Sequence, residues 1–253
     1  MQKNSRSTSW QKVSKWYHKE VGTTGHYYHQ HVIFPGINRL ISLNHNSRVL
    51  DLACGQGVLA RMIDPDISYV GIDLAPSLID EAKKQDQNNL HHFQVGDVSK
   101  KLNLKSQTFD FVFIILALQN IEHGESVIKN AFDHLDPGGK LLIVINHPCF
   151  RIPRQSSWEI DEAKKYQYRR IDKYLSLMKI PITAHPGARS NSPVTWSFHF
   201  PLSELSNWIF QAGFKILKIE EWGSDKVSQG RAAKMENRTR QEFPLFMAIL
   251  MEK

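Results

Sequence analysis

RVLDLACGQGVLAR, residues 48–61, opens on a short apolar run, Val49 to Ala53, of the kind that forms a buried parallel strand. Gly55 and Gly57 flank Gln56 and dictate a tight turn, because glycine tolerates backbone angles that other residues avoid. Val58, Leu59, Met62 and Ile63 then recur at helical spacing. Strand, glycine turn and helix together aim backbone N–H groups and a helix N-terminus at a bound cofactor.

Two cofactor classes use such a turn. Gly55-x-Gly57-x-x-Ala60 satisfies the loose dinucleotide fingerprint. Asp51 argues against that class, since it ends the strand beside the place where a dinucleotide's pyrophosphate would lie. A carboxylate about 4 Å from a phosphate costs on the order of 4 kcal/mol at an effective dielectric near 20. S-adenosylmethionine carries an ammonium and a sulfonium instead, which an acidic strand end attracts. Asp51 also suits a cap for the glycine turn, and the two roles are compatible.

With Asp51 in place, VLDLACGQG resembles the first motif of class I S-adenosylmethionine-dependent methyltransferases. Further segments fall in that family's order. Tyr69 to Asp73 reads as a second strand ending in an acid, and Asp97 with Val98 follows the strand-like His92 to Val95. Phe109 to Ile115 is similar to the fourth strand, with Leu116-Ala117-Leu118-Gln119-Asn120 after it. Leu135 to Lys140 is similar to the loop before a fifth strand, Leu141 to Ile145. The resemblance implies a seven-stranded, mostly parallel, doubly wound α/β sheet (Rossmann-like) with an antiparallel last strand and a cap insertion after the fifth strand.

It also implies site residues. Asp51, Ala53, Gly55 and Gly57, with Cys54 and Gln56 in the same turn, are expected around the cofactor's methionine part. Asp73 and Leu74 belong at the ribose, Asp97 and Val98 at the adenine, and Leu116 and Ala117 beneath the methionine arm. Tyr17 and Tyr28 are expected to cover the cofactor.

The chain has 253 residues, enough for one α/β domain with an insertion that buries about 75% of its unfolded surface. The longest apolar run, Phe111 to Leu118, falls far below the ~20 residues that a membrane span needs. No apolar leader is evident, and Cys54 and Cys149 are the only cysteines, against a disulfide framework or a zinc cage. The expected location is the cytoplasm, with no membrane partner and no metal.

The net charge of +7 divides into +5 for residues 1–46, −4 for 47–150 and +6 for 151–253. An acidic core between basic flanks favours an anionic partner, a small acid, a phosphate ester or a nucleic acid, though simple solubility explains it as well. Four parts follow: an N-terminal helical segment over the cofactor site (1–46), a cofactor-binding core (47–146), a substrate-cap insertion (147–200) and the C-terminal part of the core sheet (201–253). In the first, Trp10, Val13, Trp16 and Tyr17 share a helical face, and His26, Tyr27, Tyr28, His29 and His31 cluster before Pro35, which is expected to start a helix. These histidines lack the spaced partners of a zinc site.

The insertion holds Pro148, Pro153, Pro181, Pro186 and Pro193, so it is not one long helix. It carries Arg151, Arg154, Trp158, Tyr166, Tyr168, Arg169, Arg170, Tyr174, His185, Trp196 and His199. After it come a helix from Pro201 to Ala212 with Gly213 as its C-cap, strands over Phe214 to Trp222 and Phe243 to Met251, and a basic segment between those strands. The insertion and the basic segment leave strands at the ligand edge and are expected to face the cofactor. Trp16 to Gly36 and Asn146 to Trp158 look like a bacterial subgroup of the same family, which implies no substrate.

Methyl transfer is an in-line displacement, so the protein mainly aligns the reactants in a dry pocket. Gln119 and Asn120 are expected at the reaction centre, and His147 is the candidate general base, although a strand-end histidine often serves as a structural donor. Arg151, Arg154 and Arg170 are candidates to clamp an anionic acceptor, with Trp158 and His199 as further substrate contacts. The first functional expectation is O- or N-methylation of a small, anionic molecule. RNA methylation is an alternative, but LALQN does not match the loop of amine methylases after the fourth strand, and Cys149 lacks the companion Pro-Cys of cytosine C5 enzymes. A cofactor-binding regulator without catalysis is a third reading. Oligomeric state stays open.

Overall fold

A computed structural model describes residues 10–102, 104, 108–183 and 193–253; His185 and Pro186 lie outside the described residues. The strands are β1 (Arg48–Leu52), β2 (Ser68–Asp73), β3 (His91–Val95), β4 (Phe109–Ile115), β5 (Leu135–Asn146), β6 (Ser156–Asp161), β7 (Tyr166–Ile171), β8 (Met178–Thr183), β9 (Val194–His199), β10 (Lys215–Trp222) and β11 (Phe246–Glu252). The α-helices are α1 (Ser14–Val21), α2 (Phe34–Leu40), α3 (Pro76–Gln85), α4 (Gly124–His134), α5 (Leu202–Ala212) and α6 (Ala233–Glu242). Seven strands pair in the order β10-β11-β5-β4-β1-β2-β3, with β11 antiparallel to both its neighbours and the other pairings parallel.

The central strands are apolar on both faces because both faces are covered. Leu50, Leu52, Ile72, Val112 and Ile143 pack toward Val127 and Ile128 of α4 and Leu205 and Ile209 of α5. Val49, Tyr69, Phe113 and Val144 pack on the other side against Ile33, Phe34 and Ile37. The N-terminal segment is thus part of the core. Gly36 permits this closeness, since a Cβ there would lie 2.4 Å from the Trp222 ring.

Four local expectations are corrected. Residues 54–62 form successive turns rather than a regular helix. Ala53, Gly55 and Gly57 all have positive φ, and the Gln56 carbonyl accepts from the Arg61 guanidinium at 2.7 Å. Pro35 lies inside a helical run instead of starting one: a π-turn, His29–Ile33, precedes it, and the Phe34 amide bonds the His29 carbonyl five residues back. A proline lacks the amide that an unbroken α-helix would use, and the wider turn absorbs the missing bond. β5 begins at Leu135, before its expected start, with an irregular register against β4. The basic segment after β10 forms α6, whose Thr239 hydroxyl donates to the Met235 carbonyl at 2.8 Å and lies 3.3 Å from the Gln167 carbonyl of β7.

The insertion folds as two antiparallel ladders, β6–β7 and β8–β9, outside the main sheet. Only the second approaches the sheet's ligand edge, where the Ser197 hydroxyl donates to the Gln119 carbonyl at 3.3 Å.

Candidate active site

The loops after β1, β2, β3, β4 and β5 border one cavity of about 900 Å³. Such crevices outside the carboxyl ends of parallel strands are where open α/β sheets bind ligands. At the first loop Ala53 and Gly55 line the wall, with φ of +63° and +57°. A Cβ on Gly55 would sit 3.4 Å from the Tyr17 hydroxyl, so the glycine lets backbone and phenol meet. Tyr17 and Trp10 roof this side, their rings 5.6 Å apart. Burial, then Asp73, pushes the Tyr17 phenol up, so it stays protonated.

Asp73 stands at the end of β2 and links two loops. Its Oδ2 accepts the Gly55 amide at 2.9 Å and its Oδ1 the Ala75 amide at 2.8 Å. A carboxylate has about four acceptor positions, so each oxygen keeps capacity toward the cavity. Burial raises its pKa, and the backbone amides oppose that rise. Leu74 lies beside it in the wall. Asp97 fixes the third loop by accepting the Ser99 amide at 3.0 Å and hydroxyl at 2.6 Å, while Val98 is held by Asn130, whose Nδ2 donates to its carbonyl at 2.7 Å.

Leu116, after β4, takes φ +52°, an unusual value for a branched residue. Its carbonyl accepts both Gln119 Nε2 at 2.8 Å and Asn120 Nδ2 at 3.2 Å. Ala117, Gln119 and Asn120 line the cavity with it. Gln119 Oε1 is buried with no hydrogen-bond partner among the described residues. Ile182 of β8, Ser197 of β9 and Pro153 close the far side.

The family model for a methyltransferase domain matches residues 50–143, the stretch that holds most of β1 to β5 and the loops after β1 to β4. The chain thus carries a methyltransferase domain within a Rossmann-like methyltransferase fold. It is similar to an S-adenosylmethionine-dependent methyltransferase of Mesorhizobium loti, with a TM-score of 0.68 at 22% identity, covering 87% of this chain and 97% of that one. It is 28% identical over 175 residues to a ubiquinone biosynthesis O-methyltransferase of Coxiella burnetii, covering 68% of this chain and 64% of the relative's length. A demethylmenaquinone methyltransferase of Leptospira interrogans is 32% identical over 102 residues, which is 37% of this chain and 41% of that protein.

Around this domain several expected site residues stand away from the cavity. Asp51 is 3% exposed, and its Oδ2 accepts the Tyr69 hydroxyl at 2.7 Å. Alternation along β1 turns it with Val49 toward the N-terminal face, while Ala53 beyond it reaches the cavity. Burial lifts its pKa to about 7, against the pull of Tyr69. Cys54 packs against Gly71, and burial raises its thiol pKa. Gly57 lies under Phe93. Gln56 accepts from His18 Nδ1 at 2.9 Å and donates to the Gly22 carbonyl at 2.5 Å, tying the N-terminal segment to the turn. Tyr28 packs on Phe246 and meets the Ser224 hydroxyl at 3.3 Å.

His147 is withdrawn as a base facing the cavity. It is 1% exposed, its Nδ1 accepts the Cys149 amide at 3.2 Å, and its Nε2 donates to Glu221 at 2.6 Å. Burial lowers its pKa, with Glu221 opposing. The three arginines part company. Arg170 is spent on Asp172 at 2.7 Å and the Ser157 hydroxyl at 3.0 Å, and Arg154 is exposed with φ +61°; neither lines the cavity. Trp158 of β6 carries the Arg169 guanidinium over its ring and meets Phe243 edge-on. Arg151 and His199 border a recess beside the cavity, where His199 Nε2 donates to the Tyr174 carbonyl at 2.6 Å.

The structure adds His29, Lys100, Glu122, His123 and Asn146 to the cavity wall. Burial pushes the His29 imidazole down to about 4, and its Nδ1 is buried without a described partner. Asn146 could be expected from its place at the end of β5, and His29 from the aromatic and imidazole cluster before Pro35; the others carry no signal in local pattern.

Proposed function

We propose that this chain transfers a methyl group from S-adenosylmethionine to an oxygen or nitrogen of a small molecule. The reading is carried by one observation: Ala53 and Gly55, Asp73, and Asp97 with Val98 line a single cavity of about 900 Å³, within the range of small-molecule sites. The open acceptor positions of Asp73 fit ribose hydroxyls, and the bare Gly55 backbone under Tyr17 fits a close-lying methionine part. When bound, the cofactor supplies an electrophilic methyl on its sulfonium.

The residues around it orient and exclude water. Leu116 and Ala117 form the floor, Gln119 and Asn120 stand beside it, and Tyr17, Trp10 and Ile182 shield it. An in-line displacement needs such alignment more than it needs acid–base help. The neutral His29 is available as a hydrogen-bond acceptor for the substrate.

A small acceptor is favoured over RNA. Asp73, Asp97 and Glu122 outnumber Lys100 among the lining ions, which would repel a phosphate chain. The basic excess is spread over residues 1–46 and 151–253, and part of it is neutralised in pairs such as Arg240–Glu236 and Arg170–Asp172. The names of the Coxiella and Leptospira relatives also refer to small molecules. An anionic acceptor is supported by Arg151 alone of the three arginines. Incubation of the chain with methyl-labelled cofactor and a metabolite extract tests the reading: label should enter a small molecule. Label in RNA would favour the nucleic-acid alternative, and transfer to nothing would favour a binding protein without catalysis.

A further inference from the structure

A recess of about 30 Å³ adjoins the main cavity, and Gln119, Asn146, Pro153 and Ser197 line both. Its inner wall includes Arg151. The guanidinium donates to Asn146 Oδ1 at 3.2 Å and lies 5.6 Å over the Phe246 ring. Among the described residues no carboxylate lies within ion-pair distance of it. Its charged neighbour is another cation, Arg169, which is itself bound to neutral groups, the Phe150 carbonyl and the Ser156 hydroxyl, each at 2.7 Å. Burial works against the charge on Arg151. A partly buried cation without a counter-ion carries a desolvation cost, and a charge-assisted bond to an arriving anion offsets it.

Gln119 supplies the complementary half. Its Nε2 is committed to the Leu116 carbonyl, which fixes the amide orientation, because a carbonyl only accepts. Oε1 is therefore the free atom, buried and without a described partner, and it needs an O–H or N–H donor.

We infer that this recess anchors the methyl acceptor through an acidic oxygen at Arg151 and a neighbouring O–H or N–H at Gln119. The acceptor class is then a hydroxy acid or amino acid: a carboxylate with a donor one or two atoms away. The inference rests on the methyltransferase reading, since it assigns the acceptor end of that site. Neither Arg154 nor Arg170 takes part, which separates it from a diffuse electrostatic attraction.

Calorimetry on the whole chain saturated with S-adenosylhomocysteine tests it, with salicylate, lactate and serine as probes and benzoate as the carboxylate lacking a donor. At least one of the three should bind, and salicylate should bind more tightly than benzoate. Arg151→Met should weaken the binding probe at least about tenfold, Arg151→Lys should retain part of it, and Arg170→Ala should leave it unchanged. Gln119→Leu should erase the preference for salicylate over benzoate. Affinity for S-adenosylhomocysteine should stay within a factor of about three in Arg151→Met, which also shows that the variant is folded. Unchanged probe binding in Arg151→Met, or no binding of any probe by the wild type, overturns the proposal. Failure of the wild type to bind S-adenosylhomocysteine is a separate result, and it removes the functional reading beneath it.

Discussion

Asp73 and Asp51 end neighbouring strands, yet they do different work. Asp73 holds two backbone amides and faces the cavity, so Asp73→Ala should weaken binding of S-adenosylmethionine by a few kcal/mol, at about 1.5–3 kcal/mol for each charged hydrogen bond. Unchanged affinity in a folded variant would remove it from the ribose site. Asp51 is sealed beneath the turn with a pKa near 7, well above that of a carboxylate in an unfolded chain. Between about pH 4 and pH 7 the folded state keeps this proton and the unfolded state loses it, so the Asp51 contribution to stability falls as pH rises through that window. Buried His29, His147 and His199 have lowered pKa values and act in the opposite sense below about pH 6.5. The variant is therefore read against the wild type: Asp51→Asn should raise the urea midpoint of the ligand-free chain at pH 8 more than at pH 5. An equal change at both values would show that Asp51 is ionised throughout.

At the scale of elements, His147 is a clasp between strands. Its ring bonds Glu221 of β10 and its amide donates to the Leu245 carbonyl at 2.9 Å. His147→Ala should lower stability by about 1–3 kcal/mol while leaving cofactor affinity unchanged. Lost methyl transfer in a variant of full stability would return it to the chemistry. Gln56→Ala should loosen the N-terminal segment from the glycine turn, visible as faster proteolysis within residues 10–25. The positions of β1 to β4 and of the loops after them were legible in the sequence as short apolar runs, and the doubly wound sheet with its antiparallel last strand followed from the family resemblance those segments carry. The direction of Asp51 was not: β1 is buried on both faces, so no alternation marks which way a side chain turns. The two ladders of the insertion were hidden for another reason. Pro181 sits within β8, opposite Trp196, and β6–β7 exposes Trp158, Ile160, Tyr166 and Tyr168, so neither ladder shows a simple half-buried pattern.

Over the whole molecule, charge and function are spatially separated. The cofactor cavity is acidic at its strand ends, the basic residues of α6 stand on the β6–β7 side, and the one arginine bordering the ligand edge among the described residues is Arg151. Among the described residues no helix is long and apolar enough to cross a membrane. Asp51, the acid expected to oppose a pyrophosphate, is sealed beneath the turn, so the central claim rests on Gly55, Asp73 and Asp97 around one cavity and on the methyltransferase-domain match. Calorimetric titration with S-adenosylmethionine and with NAD therefore tests it most directly. Dissociation constants of about 1–100 μM for S-adenosylmethionine, with no heat from NAD, are the predicted result. Binding of NAD with none of S-adenosylmethionine would contradict the account.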